Sequence, residues 1–118
     1  MPRTILCVDD SPDMLEICRT VLEANGYHVL TACSGLEALE LLRDHAVDAA
    51  VVDTVMPEMN GIALAREIKM AFPAVLVVMF SGSLRGDESY PFVDFLLPKG
   101  KGPLSLRNLL TLHLQANS

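Results

Sequence analysis

The chain has no tryptophan, only two tyrosines and four phenylalanines. A core built around large rings is therefore excluded, and aliphatic side chains must fill it; 51% of the residues are apolar. Cysteine is scarce too. Cys7, Cys18 and Cys33 are odd in number and fit no metal-ligand spacing, which argues against a thiolate metal site. They read as reduced thiols in or near the core. Long hydrophobic runs are missing: the longest, residues 74–80, falls far short of the roughly 20 residues that a helix needs to cross a bilayer. Residues 1–4 (Met-Pro-Arg-Thr) show no signal-peptide hydrophobic region. Positive charge is the last shortage, with nine Lys and Arg against fifteen Asp and Glu, a net charge of −6. Without a basic patch, nucleic acid is not an expected partner, because phosphate binding needs clustered Lys and Arg. What is left is a chain of 118 residues, long enough for one domain and too short for two. It is expected in the cytoplasm, away from membranes, as a single unit over residues 1–118 with a frayed polar tail at 115–118.

Against these absences stands one recurrence. The apolar run Ile5-Leu6-Cys7-Val8 closes on Asp9 and Asp10, and the run Ala49-Ala50-Val51-Val52 closes on Asp53. Short apolar runs bounded by polar residues read as buried strands. In an open parallel sheet, ligands bind beyond the carboxyl ends of the strands. Two such strands would deliver three acids to one crevice, where like charges repel unless neutralised. A hard divalent cation held by oxygens is the natural neutraliser, and Mg²⁺ suits carboxylates.

The rest of the chain fits a repeating strand–helix pattern. Residues 4–8 form the first strand, and Ser11-Pro12-Asp13 starts a helix with a cap, a proline in the first turn and an acid behind it. That helix ends at Asn25-Gly26. Residues 27–32 alternate as a second strand, and Ser34-Gly35-Leu36-Glu37 resembles a capping box opening a second helix, with Leu36, Leu39, Leu41 and Leu42 as candidates for its buried face. Residues 49–53 make the third strand, and Gly61 opens a third helix that Pro73 stops. Residues 75–80 form a fourth strand, residues 81–91 hold at most a turn or two of helix, residues 93–97 form the fifth strand and residues 104–114 the last helix. Five alternations predict an α/β fold: a five-stranded parallel sheet, doubly wound, with helices on both faces and a shortened or irregular fourth helix.

Two more strand ends carry chemistry. Ser81 follows the fourth strand and Lys99 the fifth. A carboxylate beside a metal and a fixed ammonium could attack phosphorus while a hydroxyl and the cations hold the phosphoryl oxygens. The run from Val51 to Gly61 resembles the phosphorylation loop of response-regulator receiver domains, as do Val8-Asp9-Asp10-Ser11, Ser81-Gly82 and Leu97-Pro98-Lys99. The resemblance implies a flavodoxin-like (βα)5 fold. Asp53 would be the phosphoacceptor, loaded by a sensor histidine kinase, a phosphotransfer protein or a small phosphodonor. Asp10 would bind Mg²⁺ directly, Asp9 through water, and the Val55 carbonyl and Asp53 would complete the metal set. Ser81 would bond the phosphoryl group and Lys99 pair with it, with Lys101 as a possible substitute. Gly61 would allow a tight turn before the third helix. Output would pass to a downstream protein, and a homodimer is open.

Three departures from that family's pattern lie near the C-terminus: Gly100 follows Lys99 where a proline is usual, Leu96 stands where a Tyr or Phe is usual, and the segment between Ser81 and Val93 is short. They predict an atypical output surface with the phosphorylation chemistry intact. Val55 and Ser83, two residues beyond the acceptor and the hydroxyl, occupy rate-tuning positions, and an apolar Val55 cannot orient an attacking water, which suggests slow self-dephosphorylation. One alternative is a pseudo-receiver, a phosphorylation-independent binding or dimerisation module. A second, a Mg²⁺-dependent phosphohydrolase of the haloacid-dehalogenase type, lacks the usual second acid because Val55 stands there. No enzyme activity is expected beyond self-phosphorylation and self-dephosphorylation. His28, His45 and His113 share no spacing that suggests phosphotransfer.

Overall fold

The structure of the chain, a computed structural model, describes residues 2–56, 58–82 and 90–115. The elements run β1 (Thr4–Val8), α1 (Pro12–Ala24), β2 (His28–Ala32), α2 (Gly35–Asp44), β3 (Ala49–Val52), α3 (Gly61–Ala71), β4 (Leu76–Ser81), β5 (Phe95–Pro98), a short 3-10 turn (Lys99–Lys101) and α4 (Pro103–Gln115). All pairings are parallel, in the order β2-β1-β3-β4-β5. The chain leaves β1 in opposite directions on its two sides, so the topological switch point lies between β1 and β3. Register decides what meets there. Val8 lies beside both Ala32 and Val52, so Asp9 and Asp53, each one residue further on, leave the sheet as neighbours. Ser81 lies beside Pro98, which places Lys99 next along that edge.

Alternation along the strands divides the core. Ile5, Cys7, Val51, Val78 and Phe80 face α1 and α4, where Cys18, Leu22, Leu106, Leu110 and Leu114 close over them. Leu6, Val8, Ala50, Val52 and Val77 face α2 and α3, against Ala38, Leu42, Leu64, Ala65 and Ile68. Helices thus cover both faces, as the buried strands require. Among the described residues, no helix is long and apolar enough to cross a membrane.

The helix starts follow their capping residues. Ser11 Oγ accepts from Met14 N at 3.3 Å, with Pro12 in the first turn; Ser34 Oγ accepts from Glu37 N at 3.2 Å, and Asn60 Oδ1 from Ala63 N at 2.8 Å. The expected capping box is displaced by a residue: Glu37 Oε1 accepts from Cys33 N at 2.7 Å rather than from its own cap. Leu36 is 59% exposed and leaves the buried face to Gly35, Ala38 and Leu42. β5 starts at Phe95, two residues later than expected. Val93 N bonds Tyr90 O in a turn, and Asp94 N bonds Val77 O, so the backbone becomes a strand only beyond them. As an edge strand, β5 tolerates Pro98, which has no N–H to offer.

Cys7 and Cys18 are buried free thiols and Cys33 is exposed. His28 and His45 are exposed, while the half-buried His113 ring lies 4.0 Å from that of Phe95, centroid to centroid. α4 continues through Gln115, so the tail expected to fray there begins as helix. Of residues 81–91, where at most a turn or two of helix is expected, residues 83–89, Ser83 among them, lie outside the described residues, as do Pro57 and residues 116–118.

Candidate functional site

The carboxyl ends of β1 and β3 bring the three acids together. One oxygen from each of Asp9, Asp10 and Asp53 lies within 4.8 Å of the others. Asp9 and Asp53 are buried, at 5% and 8% exposure, while Asp10 faces solvent. Asp9 is held from two sides: Oδ1 accepts from Ser11 N at 3.0 Å, and Oδ2 from Lys99 Nζ at 2.6 Å. The same ammonium stands 3.5 Å from Asp53 Oδ2. β5 and the turn after it deliver Lys99 to the pocket, whereas Lys101 is exposed. Burial alone would push the Lys99 ammonium down, but its hydrogen bond to Asp9 and the charges of Asp9 and Asp53 outweigh that, and its pKa is raised. Ser81 is buried at the end of β4, next to β5. Lys99 thus reaches the acids from across the sheet, while Ser81 occupies the neighbouring strand end.

The loop after β3 fixes the direction of Asp53. Asp53 N donates to Val8 O at 3.1 Å and Gly61 N to Thr54 O at 2.8 Å. A Cβ at Gly61 would stand 1.9 Å from the Asp53 carbonyl oxygen. Gly61 is therefore needed for room, and not for a turn of unusual φ, since among the glycines it does not lie in the positive-φ region. Within the described part of this loop, Glu58 takes that region, at φ 57°. Met56 is buried in the second core, Met59 lies against Gly35 at the start of α2, and Val55 is 60% exposed. Thr54 was not singled out by the sequence, where it reads as one more polar loop residue. It is buried, and among the described residues its hydroxyl has no hydrogen-bond partner.

The donor set suits a hard divalent cation. Among the described residues, three carboxyl groups face one ammonium at this edge, an excess of negative charge in a half-enclosed pocket whose ligands are oxygens. The contrast with the opposite edge is informative. There Asp48 and Asp94 each sit before a strand and accept from a backbone N–H, of Thr4 and Val77, both at 2.8 Å. Each also has a cation, Arg3 at 3.4 Å and Lys69 at 2.7 Å. Acids that serve the fold are individually matched. At the switch point, Asp9 and Asp53 share the one Lys99 ammonium.

Fold and pocket together define a class: a flavodoxin-like α/β domain with a cation-ready acidic crevice at its switch point. The chain belongs to the response regulator receiver domain family, whose model matches residues 5–94. Such domains are the receiver modules of two-component response regulators and interact with histidine kinases or phosphotransfer proteins. The polar-differentiation response regulator DivK of Brucella anthropi is 31% identical over 93 residues, covering 75% of this chain and 74% of DivK. The chain spans only 36% of another relative, the response regulator GtcR of Aneurinibacillus migulanus, at 28% identity over 75% of this chain. Among solved structures, a CheY-like receiver domain protein of Methanospirillum hungatei superposes with a TM-score of 0.91 at 25% identity, over 98% of this chain and 96% of that one. TrrA of Thermotoga maritima, solved in complex with Mg²⁺-BeF, gives a TM-score of 0.85 at 27% identity, over 92% of this chain and 96% of that one. The family match ends before Lys99, while these superpositions cover nearly the whole chain.

Proposed function

We propose that this receiver accepts a phosphoryl group on Asp53, with Mg²⁺ as cofactor, and signals through a protein–protein surface. The observation that carries the reading is the convergence of Asp9, Asp10 and Asp53 within 4.8 Å beside the Lys99 ammonium. A bound Mg²⁺ would supply charge neutralisation to the phosphoryl oxygens. Asp10, solvent-facing, would hold the metal directly, Asp9, whose two oxygens are engaged by Ser11 N and Lys99, would do so through water, and the Val55 carbonyl and Asp53 would complete the set. An Asp53 oxygen attacks phosphorus in line as the bond from phosphorus to the donor's imidazole nitrogen or carboxylate oxygen breaks and that group departs as imidazole or carboxylate. Lys99 holds negative charge on the transferred group and Ser81 offers a hydroxyl to one of its oxygens. Buried backbone contacts of Asp53 and Gly61 keep the nucleophile aimed.

The donor is a phosphohistidine of a sensor kinase or phosphotransfer protein, in the cytoplasm, and the output is a downstream protein. Because Val55 offers no second acid, turnover of an external phosphate ester is not expected. The test is incubation with acetyl phosphate and Mg²⁺, read by intact mass. The chain should gain one phosphoryl mass, and Asp53→Asn should abolish it. An unmodified wild-type chain that still binds a receiver partner would favour the pseudo-receiver instead.

A further inference from the structure

One polar group beside the acceptor has no part in the chemistry described so far. Thr54 is 8% exposed, and among the described residues its hydroxyl has no hydrogen-bond partner. A buried hydroxyl without a partner is costly, and few native side chains are left so. The backbone around it is tightly held. Thr54 O accepts from Gly61 N at 2.8 Å, and a Cβ on Gly61 would stand 3.0 Å from Thr54 Cα. Register identifies the neighbour. Val52 pairs with Met79, so two residues further on Thr54 comes level with Ser81, and alternation gives both positions the same face. Ser81 is buried too, at 1% exposure. It has an interaction of its own in the resting protein, but not a hydrogen bond with Thr54 Oγ1.

Resting on the proposed reading of this site, we propose that Thr54 is a positioning residue for the phosphoryl-bearing state, the first member of a chain of hydroxyls that ends on the transferred group. When Ser81 turns its O–H to a phosphoryl oxygen, its lone pairs are left to accept, and Thr54 Oγ1 donates to Ser81 Oγ. Hydroxyl pairs of this kind recur between neighbouring strands, and each bond in such a chain polarises the next. The cost of the orphan hydroxyl is then confined to the unphosphorylated protein and is recovered when the acceptor is loaded. Thr54 thus raises the free energy of the resting state relative to the loaded one, without touching the metal or the phosphoryl group. A valine at this position would fill the same space and do neither.

The test is a titration with beryllofluoride, a stand-in for the phosphoryl group, in saturating Mg²⁺. It compares the wild type with Thr54→Val, Thr54→Ser, Ser81→Ala and the double variant Thr54→Val/Ser81→Ala. Thr54→Val should bind beryllofluoride on the order of tenfold more weakly, the scale of one buried hydrogen bond, with its affinity for Mg²⁺ alone unchanged. Thr54→Ser puts the hydroxyl back and should restore binding. In the Ser81→Ala background Thr54→Val should add no further loss, because its partner is gone. A crystal structure of the wild type with Mg²⁺ and beryllofluoride should place Thr54 Oγ1 within about 3 Å of Ser81 Oγ. Wild-type affinity in Thr54→Val, or an equal loss with and without the Ser81 hydroxyl, overturns the proposal. So does a loaded structure in which the two hydroxyls stay apart, and that structure decides alone where a variant fails to fold or to bind. Failure of the parent reading looks different: none of these proteins, wild type included, would bind beryllofluoride.

Discussion

At the scale of single residues, two positions next to the acceptor show opposite kinds of constraint. Thr54 keeps a buried hydroxyl without a partner, and an unmade hydrogen bond at a buried site costs about 1–3 kcal/mol. Thr54→Val keeps the shape and removes the orphan oxygen, so it should stabilise the protein by about 1 kcal/mol, seen as a higher urea midpoint at unchanged m-value. A lower midpoint would mean that the hydroxyl is satisfied. Gly61 is constrained by space, because a side chain there meets the Asp53 carbonyl at 1.9 Å. Gly61→Ala should destabilise by roughly 1–3 kcal/mol. It should also slow acetyl phosphate labelling beyond any effect of unfolding, since the backbone that yields belongs to the nucleophile. Both acids of the first run and the acid of the second were legible from the sequence as strand-end residues, as was Lys99. The orphan at Thr54 was not, because composition and spacing carry no information on who meets a hydroxyl in the folded chain. The shortest lysine contact escaped for the same reason: a pattern can assign Lys99 to an edge without ranking Asp9 over Asp53.

At the scale of elements, the sheet is stitched at its amino edge by a repeated device. Asp48 exchanges backbone and side-chain hydrogen bonds with Thr4, N to O at 2.9 Å and N to Oδ2 at 2.8 Å. Asp94 does the same with Val77, both at 2.8 Å. Each carboxylate takes the place of a missing rung of the ladder and draws a cation, and Lys69 adds a bond to Val75 O at 2.7 Å. Asp94→Ala leaves Val77 N without its acceptor and Lys69 without its anion. It should cost about 1–3 kcal/mol, and amide exchange should rise first along β5, which has a neighbour on one side only. Uniform loss of protection over the whole sheet would count against a local clamp. Strand and helix order, the capping serines and the start of α3 could be read directly from alternation and capping residues. β5 could not be placed to the residue. Val93 and Phe95 are both apolar with Asp94 between them, so alternation allows a start at either, and only the Asp94 clamp settles where pairing begins. Leu36 was misread because one apolar residue in a first helical turn does not reveal which way that turn faces.

At the scale of the molecule, the charge pattern and the buried thiols set the response to pH. Burial, helped by the charges of Cys18 and Asp9, pushes the Cys7 thiol far up. Burial and the charge of Asp9 push Cys18 up to about 11, against a smaller opposing effect of Lys99. Lys99 is raised as well. In each case the folded state holds its proton more tightly than the unfolded chain does. The stability this confers is complete below the unfolded pKa, about 8.5 for a thiol. Above it the unfolded chain gives up protons that the fold retains, so the unfolded state gains and stability falls. For Cys18 the fall runs from about pH 8.5 to its folded value of about 11. Cys7 and Lys99 extend it further into alkali. Urea midpoints taken at intervals across this window should therefore decline, and in a Cys33→Ala background, which removes the exposed thiol, the thiolate absorbance should appear only as the chain unfolds. Cys18→Ala will lower the midpoint at neutral pH by leaving a cavity, yet it should flatten the alkaline slope, because one of the retained protons is gone. A slope unchanged by Cys18→Ala, or thiolate signal from the folded Cys33→Ala protein below about pH 9, would show that the thiol on α1 is not sequestered between the sheet and α4 as its burial implies.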